Sequence, residues 1–556
     1  MHGKPSRVHL ADFSAGRRVI PIALIASAIG VLCTGVAFVL LRMIALFTNL
    51  FYYGRLSVAL ASPADHQLGV WALLIPAVGG LLIGLMARYG SERIRGHGIP
   101  EAIEAILTRG SRVDLKVALL KPLSAAISIG SGGPFGAEGP IIMTGGAFGS
   151  LVAQRFHLTS AERKTLLVAG ASAGMAAVFG TPVAASLLAV ELLLFEWKPR
   201  SFVPVALASA TAALIRPFVF EAGPLFPTPM LSADPPTSVL LACLPMGVAA
   251  GALAAVMTAA VYAAEDSFPK LPVSWIWWPA IGGLVIGLGG LISPSALGVG
   301  YDVIADLLAG GMPFKATLAL LLVKITIWAV SLGSGTSGGV LAPLLMVGAA
   351  LGVLLAPFLP AAGVAFWPLV GMAAILGGAM RVPFTAIVFS LELTHDVRML
   401  LPLMIAVVAA HLFSVLTLRR SILTEKVDRR GFHVSREYAT DPMDLLFVRE
   451  VMSPETDEFP MDLSKGVLLH PDDPLTEAVN RMASTGHTEL PVVAREDPTR
   501  AVGWVSLENL LEARTRHLEE ERAKDGLVPL TVWVPSVVGV PAWLRQATRS
   551  RRRPPG

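Results

Sequence analysis

The chain contains an internal repeat in which two glycine-rich segments recur about two hundred residues apart. Residues 130–151 read GSGGPFGAEGPIIMTGGAFGSL and residues 333–354 read GSGTSGGVLAPLLMVGAALGVL, with ten of 22 positions identical at an offset of 203. The same offset relates residues 76–85 to residues 279–288. Paired halves with glycine- and proline-interrupted apolar segments at corresponding positions are typical of membrane transporters with a binding site between the repeats. The repeat therefore predicts a duplicated membrane fold.

The composition is that of an integral membrane protein. Hydrophobic residues make up 54% of the 556 residues and charged residues 15%, whereas soluble domains carry roughly 25% charged residues. Residues 325–380 contain no charged side chain, and five more uncharged stretches could each hold a span of about 20 residues. These are 19–41, 68–87, 165–190, 235–264 and 271–301. The 53 glycines and 41 prolines indicate broken or re-entrant helices buried in protein or lining an aqueous cavity.

Repeat and composition together divide the chain into five parts. We predict a cytoplasmic tail (1–18), a first membrane half (19–220), a second half with its connector (221–430), a soluble module (445–526) and a basic tail (527–556). Basic residues precede the first apolar run and follow the last, so both termini are expected in the cytoplasm, with the protein in a bacterial inner membrane. The basic tail is interpreted as a solvated terminus, with attraction to anionic lipid as the alternative.

Three glycine-rich segments each place a proline at the start of an apolar run. They read GHGIPE (96–101), GAEGP (136–140) and GVLAP (339–343). Proline suits the first helical turn, and glycine lets backbone amides turn toward one point. A helix start offers unpaired N–H groups and about half a positive charge, which suits an anion that must also be released. The predicted anion-binding residues are Gly96, His97, Gly98, Ile99, Pro100, Gly136, Ala137, Gly139, Gly339, Val340, Leu341, Ala342 and Pro343.

These three motifs, in this order and with the internal repeat, resemble those of the CLC chloride channels and proton-coupled chloride transporters. The resemblance covers residues 20–430. It implies an all-α polytopic membrane protein, an inverted repeat of broken and re-entrant helices. It also implies a homodimer in membrane lipid with one pathway per subunit for chloride, and for protons in the exchangers. No cofactor, metal or nucleic acid is expected.

Glu138 is the strongest candidate for a functional side chain. It is a carboxylate in an otherwise uncharged glycine- and proline-rich stretch, and a charge inside a membrane is functional by default. In the family this position is the gating glutamate, which competes with chloride and carries the proton. The alternative is an acid that stabilises the start of a helix.

The sequence departs from the family pattern in three places. His97 stands where the family has a central serine, and either donates a hydrogen bond to the anion or turns aside while amides bind it. Leu423 stands where a coordinating tyrosine is expected, and it is the remaining predicted residue of the anion site. At the position of the inner proton-accepting glutamate the chain has Leu192. Glu196 is the candidate substitute, unless it is an interfacial charge beside Lys198 and Arg200.

Two further pairs of charges are interpreted as structural. Glu191 and Glu392 occupy equivalent places in the repeats, which favours capping or tying a neighbouring helix. Lys315 and Lys324 flank an apolar strip and are expected to snorkel toward the membrane surface.

The soluble module resembles one CBS repeat, with predicted strands at 489–494 and 501–506 and a charged helix after them. Residues 451–463 could be a remnant of a second repeat. Where nucleotide-binding CBS modules carry an aspartate, this chain has Asn509, so a docking or dimerising role is favoured over adenine-nucleotide binding.

Chloride transport is thus the predicted function. Glu138 supports proton-coupled exchange, whereas Leu192 and Leu423 support a passive, voltage-gated channel, and His97 leaves nitrate or fluoride open as the anion. A membrane enzyme is disfavoured because the histidines are scattered and no HExxH, GxSxG or CxxC motif occurs.

Overall fold

The computed structural model describes residues 16–229, 233–431, 443, 446–454, 467–497 and 500–525. The chain forms two compact units, residues 1–436 and 437–556. The predicted tail 527–556 lies outside the described residues, as does all of the tail 1–18 except its last three residues.

In the part of the first unit that the structure describes, all regular elements are helices joined by loops. Among the described residues, eight helical segments are long and apolar enough to cross a membrane, and shorter apolar helices lie between them. The helices are α1 (Val19–Tyr53), α2 (Leu74–Tyr89), α3 (Ile99–Thr108), α4 (Leu115–Gly130), α5 (Glu138–Ala153), α6 (Ser160–Phe179), α7 (Pro182–Ala189), α8 (Pro199–Ile215), α9 (Thr237–Ser267), α10 (Trp278–Ile292), α11 (Tyr301–Ala309), α12 (Phe314–Gly333), α13 (Leu341–Leu355), α14 (Phe366–Met380), α15 (Pro383–Thr394), α16 (Leu400–Thr417) and α17 (Ile422–Arg429).

Helices α1–α8 correspond in order to α9–α16, and the equivalent helices α2 and α10 make reciprocal contacts. A Cβ at Gly80 of α2 would lie 2.1 Å from the carbonyl oxygen of Pro279 in α10. Likewise, a Cβ at Gly283 of α10 would lie 2.2 Å from that of Pro76 in α2. Small residues let membrane helices approach this closely. The duplicated fold of broken helices predicted from the repeat is therefore confirmed.

The two equivalent glutamates tie the halves together by capping each other's helices. The Glu191 carboxylate accepts hydrogen bonds from the amides of Phe384 (3.1 Å) and Thr385 (2.8 Å) at the start of α15. Glu392 accepts from the two equivalent amides at the start of α7, at 3.0 and 2.8 Å. Each carboxylate thus satisfies donors that a helix start leaves unpaired. The structural role predicted from their symmetry is confirmed.

The expectation that Lys324 snorkels is wrong. Its side chain is fully buried in α12, and its ammonium donates to the carbonyl oxygens of Ala296 (2.9 Å) and Gly298 (3.1 Å). Lys121, its equivalent in α4, is also fully buried and donates to the two matching carbonyls before α3. A buried ammonium needs such acceptors, so these lysines hold the two glycine turns. Lys315 is exposed.

The second unit is a small α/β module. Its three-stranded antiparallel sheet has the order β1-β3-β2, and both predicted strands and the helix after them are present. The elements are β1 (Ser453–Pro454), α18 (Leu475–Thr485), β2 (Glu489–Val493), β3 (Ala501–Ser506) and α19 (Leu507–Asp525). Because β1 pairs with β3, residues 451–454 belong to this module and not to a second repeat. Residues 455–463 lie outside the described residues.

Candidate anion site

The three glycine-rich segments meet inside the first unit. Gly136 and Gly339, one from each half, exchange backbone hydrogen bonds of 3.3 and 3.0 Å. Gly96 bridges in parallel to Ser337, which lies beside the third segment. Segments about two hundred residues apart in sequence therefore form one buried junction of backbone.

The close approach at this junction requires glycine at two positions. A Cβ at Gly139 would lie 2.0 Å from the carbonyl oxygen of His97. A Cβ at Gly98 would lie 2.4 Å from the carbonyl oxygen of Gly139, and Gly98 also has a φ of +90°. The starts of α3, α5 and α13 consequently lie together, as the motifs predict. Their first-turn amides have no partner within their own helices, and their dipoles favour negative charge at this point.

The thirteen predicted anion-site residues in the three glycine-rich segments are all buried, but they divide into two groups. The amides of Gly96, Gly136 and Gly339 bond to neighbouring segments, and the amide of Gly98 donates to the Glu101 carboxylate at 2.7 Å. These four glycines hold the junction together. The donors available to an anion therefore come from the other predicted residues at the three helix starts that carry an N–H group: His97, Ile99, Ala137, Gly139, Val340, Leu341 and Ala342. Pro100 and Pro343 have no amide proton and only shape the first turns.

The carboxylate of Glu138 occupies the junction. Glu138 is the first residue of α5 and is fully buried. Its carboxylate lies close enough to the backbone amide of Ala342, in the first turn of α13, to interact with it, and Oε2 makes no hydrogen bond within the described residues. A Cβ at Gly339 would lie 3.0 Å from the same oxygen. An acid in the first turn of α5 also complements that helix dipole, but its free oxygen points to the start of a different helix.

Tyr301 is a functional candidate that the sequence analysis missed. Its hydroxyl donates to Oε1 of Glu138 at 2.8 Å. Its ring packs edge-on against the rings of Phe179 and Phe226, at centroid distances of 6.1 and 6.2 Å. The sequence did carry one indication of its importance: Tyr301 directly follows the glycine turn at 298–300, which is the repeat equivalent of the turn at 96–98.

His97 lies at the junction with its imidazole enclosed. The side chain is 2% exposed, and Nδ1 has no hydrogen-bond partner within the described residues. The charges of Lys426, Glu101 and Lys121 lie close enough to interact with the ring. Lys426 of α17 was also missed by the sequence analysis. A buried ring nitrogen without a partner favours the hypothesis that His97 contacts the anion.

Leu423 is fully buried in the first turn of α17 and offers no hydroxyl group. A tyrosine nevertheless lies beside this turn, because the hydroxyl of Tyr262 in α9 donates to the carbonyl oxygen of Ile422. That hydroxyl is therefore engaged with the backbone. At position 423 the chain therefore has an apolar side chain in place of the hydroxyl contact that a tyrosine would make.

Glu196 lies apart from the junction, after the π-helical turn Val190–Leu194. Its carboxylate is near the ammonium of Lys164 (3.6 Å), the guanidinium of Arg200 (3.4 Å) and the ammonium of Lys198 (3.9 Å). Partial burial would raise the pKa of Glu196, but Lys164 and Arg200 outweigh it and lower the pKa below its ordinary value. These contacts fit an interfacial acid. Proton acceptance by Glu196 stays a prediction.

In the soluble module, Asn509 caps a helix. Its Oδ1 accepts hydrogen bonds from the amide and the hydroxyl of Ser506, both at 2.9 Å, at the start of α19. The side chain that replaces the expected aspartate is thus engaged within the module.

The fold and the junction define a class: a membrane protein of two equivalent halves whose helix starts converge on a buried carboxylate. The sequence matches the family described as "Voltage gated chloride channel" over residues 79–415 and the family "CBS domain" over residues 448–516. The chain belongs to the CLC family of voltage-gated chloride channels, with a CBS module after the membrane unit. It is an integral membrane protein, and the predicted family and fold class are confirmed.

Similar bacterial proteins include some that are named as chloride channels and others that are named as exchange transporters. The chain is 31% identical to the voltage-gated ClC-type chloride channel ClcB of Salmonella typhimurium, covering 63% of this chain and 86% of that protein. It is 30% identical to the H(+)/Cl(-) exchange transporter ClcA of Salmonella paratyphi A, covering 64% and 78%. The fold is similar to that of a slow cyanobacterial Cl−/H+ antiporter, with a TM-score of 0.63, 20% identity and coverage of 75% and 98%.

Proposed function

We propose that this protein exchanges chloride for protons across a bacterial inner membrane, through one anion pathway in each subunit of a homodimer. Both termini lie in the cytoplasm, and the protein acts as a transporter and not as an enzyme. The observation that carries the proposal is the fully buried Glu138 carboxylate, which occupies the junction of helix starts from both halves. The exchange transporter at 30% identity supports the same assignment.

In the proposed mechanism, the Glu138 carboxylate and chloride compete for one place. The amides of α13 and the dipoles of the three helix starts stabilise either negative charge. Protonation removes the charge of the carboxylate, so that it leaves the junction and chloride enters. When the proton is released, the carboxylate returns to the Tyr301 hydroxyl and displaces the ion. Protons and chloride ions are thereby moved in opposite directions.

Chloride-driven proton movement in proteoliposomes tests the proposal. Wild-type protein should move protons uphill when a chloride gradient is imposed, and Glu138→Gln should carry chloride without moving protons. Asp306→Asn is a control, because this carboxylate is exposed and should leave coupling intact. Proton movement by Glu138→Gln equal to that of wild type would refute the role of Glu138.

A passive channel is the second candidate function. It is favoured by the ion pairs of Glu196, which keep this acid ionised at neutral pH, and by the apolar Leu423. A channel would show chloride flux with no uphill proton movement in the same assay. The two candidates share the anion site and differ only in the proton route.

The preferred anion depends on His97 in this proposal. An imidazole N–H can donate to chloride, nitrate or fluoride, as a serine hydroxyl can, but the imidazole ring is larger and its donor has a fixed direction in the ring plane. We expect His97→Ser to change the ratio of chloride to nitrate flux. An unchanged ratio would mean that the imidazole is turned away from the pathway. For the CBS module we propose docking or dimerisation in place of adenine-nucleotide binding.

A further inference from the structure

Arg216 is a buried cation without a matching anion. It follows α8, is 8% exposed and contributes to none of the ion pairs among the described residues. Its guanidinium donates to one carbonyl oxygen, that of Glu221, at 2.8 Å, and its Nε has no hydrogen-bond partner there. A buried guanidinium with donors left over carries a large desolvation cost. Such a group is expected to have a partner of negative charge.

The second half contains a guanidinium with a purely structural role, that of Arg381, whose donors are hydrogen-bonded to backbone oxygens. Arg381 ends α14 where Gly180 ends α6, and its guanidinium reaches the end of α16. It donates to the backbone oxygens of Ser414, Leu418 and Arg419. In the first half, Arg216 extends the other way, from the end of α8 to the turn at Gly180, where a Cβ would lie 3.3 Å from its Nε. Arg216 therefore has one backbone acceptor, and its Nε has no hydrogen-bond partner among the described residues.

Arg216 lines a cavity of about 790 Å³ that Tyr301 also lines. The two residues are connected through the turn, since Gly180 follows Phe179, whose ring packs on Tyr301. Tyr301 in turn bonds to Glu138. Three other charged residues line this cavity, and all are exposed: Arg42, Glu221 and Asp302. Arg216 is thus the one buried charged residue among the described residues that line the cavity, and it shares this cavity with Tyr301, the hydrogen-bond partner of Glu138.

We propose that Arg216 forms a second anion-binding subsite in this cavity, which holds a small inorganic anion such as a halide or nitrate beside the Tyr301–Glu138 pair. The planar guanidinium is fixed with Nε against the Gly180 turn and Nη1 on the Glu221 carbonyl oxygen, and the N–H groups not used in that contact are donors for such an ion. The Glu221 carbonyl oxygen and burial hold the Arg216 guanidinium in place. An ion bound there lies in the same cavity as Tyr301, whose hydroxyl bonds to the Glu138 carboxylate that the ion must displace. The assignment of chloride as the natural occupant rests on the proposed function.

Two measurements on the full chain test this subsite. Crystals grown in bromide should show anomalous density in contact with the Arg216 guanidinium, separate from any peak at the junction. In flux assays, Arg216→Gln should raise the chloride concentration for half-maximal rate about tenfold, the effect of losing one charge-assisted hydrogen bond. Arg42→Gln is the matched control, with the same charge change in the same cavity, and should leave that concentration unchanged.

Each outcome bears on one proposal. Absence of bromide at Arg216 in the wild type overturns the subsite. An equal rise in the half-maximal chloride concentration for Arg216→Gln and Arg42→Gln also overturns it, because it would show that any positive charge in the cavity acts by long-range attraction alone. The bromide measurement needs no flux and no variant, so it decides even if Arg216→Gln fails to fold. Density at Arg216 without any chloride flux would contradict the proposed function and leave the subsite standing.

Discussion

The hydroxyl of Tyr301 donates a 2.8 Å hydrogen bond to Oε1 of Glu138, across 163 residues of sequence and between the two halves of the repeat. The other carboxylate oxygen has no such partner within the described residues. The position of the carboxylate at the junction therefore depends on one side-chain hydroxyl from the opposite half.

Tyr301→Phe should loosen the carboxylate while keeping the aromatic packing. A hydrogen bond to a charged group contributes about 1.5–3 kcal/mol, so anions should compete for the junction at least tenfold more effectively and the flux should rise. Chloride flux in proteoliposomes measures this. Tyr52→Phe is the control, because that buried hydroxyl bonds to a backbone oxygen, that of Ser131. Equal fluxes for Tyr301→Phe and wild type would contradict a restraining role.

Gly139→Ala should disrupt the junction. The added Cβ would lie 2.0 Å from the carbonyl oxygen of His97, so α3 and α5 must separate and their dipoles no longer act at one point. We expect loss of chloride binding by calorimetry in folded, purified protein. Gly35→Ala places the same methyl where nothing lies within 4 Å and should bind normally. Normal binding by Gly139→Ala would show that the junction tolerates separation.

Glu191→Ala and Glu392→Ala should destabilise the fold by similar amounts. Each removes a carboxylate that accepts two amides at the start of a helix in the other half, and losing a cap of this kind costs about 1–2 kcal/mol. Thermal unfolding in detergent measures the loss. Asp306→Ala, at an exposed acid, should have little effect. A fully stable Glu191 or Glu392 variant would show that the cap is dispensable.

Proton uptake should depend on pH through Glu196 if this residue is the inner acceptor. Lys164 and Arg200 lower the pKa of Glu196, so the acid is ionised at neutral pH and loads a proton only as the pH falls. Lys164→Met removes one of these cations and raises the pKa, which should shift the rise in coupled proton flux to higher pH. Glu196→Gln should abolish that flux. An unchanged pH profile in Lys164→Met would exclude Glu196 as the acceptor.

Much of this arrangement can be predicted from the sequence, because the positions of glycine and proline indicate where helices begin and where the backbone turns. The repeat and the three motifs predicted the paired halves and the meeting of helix starts, and the symmetry of Glu191 and Glu392 predicted their capping role. Tyr301 was missed because a single hydroxyl donor between the halves leaves no local pattern. Lys324 was placed wrongly because a lysine at the edge of an apolar strip resembles one that snorkels, although its repeat partner Lys121 was a usable signal.

The most direct test of the account is the reversal potential of wild type and Glu138→Gln across imposed chloride and pH gradients. If the Glu138 carboxylate shares the junction with chloride and carries the proton, the wild-type reversal potential will depend on both gradients. That of Glu138→Gln will then follow the chloride gradient alone. A reversal potential of Glu138→Gln that still shifts with the pH gradient would contradict the account.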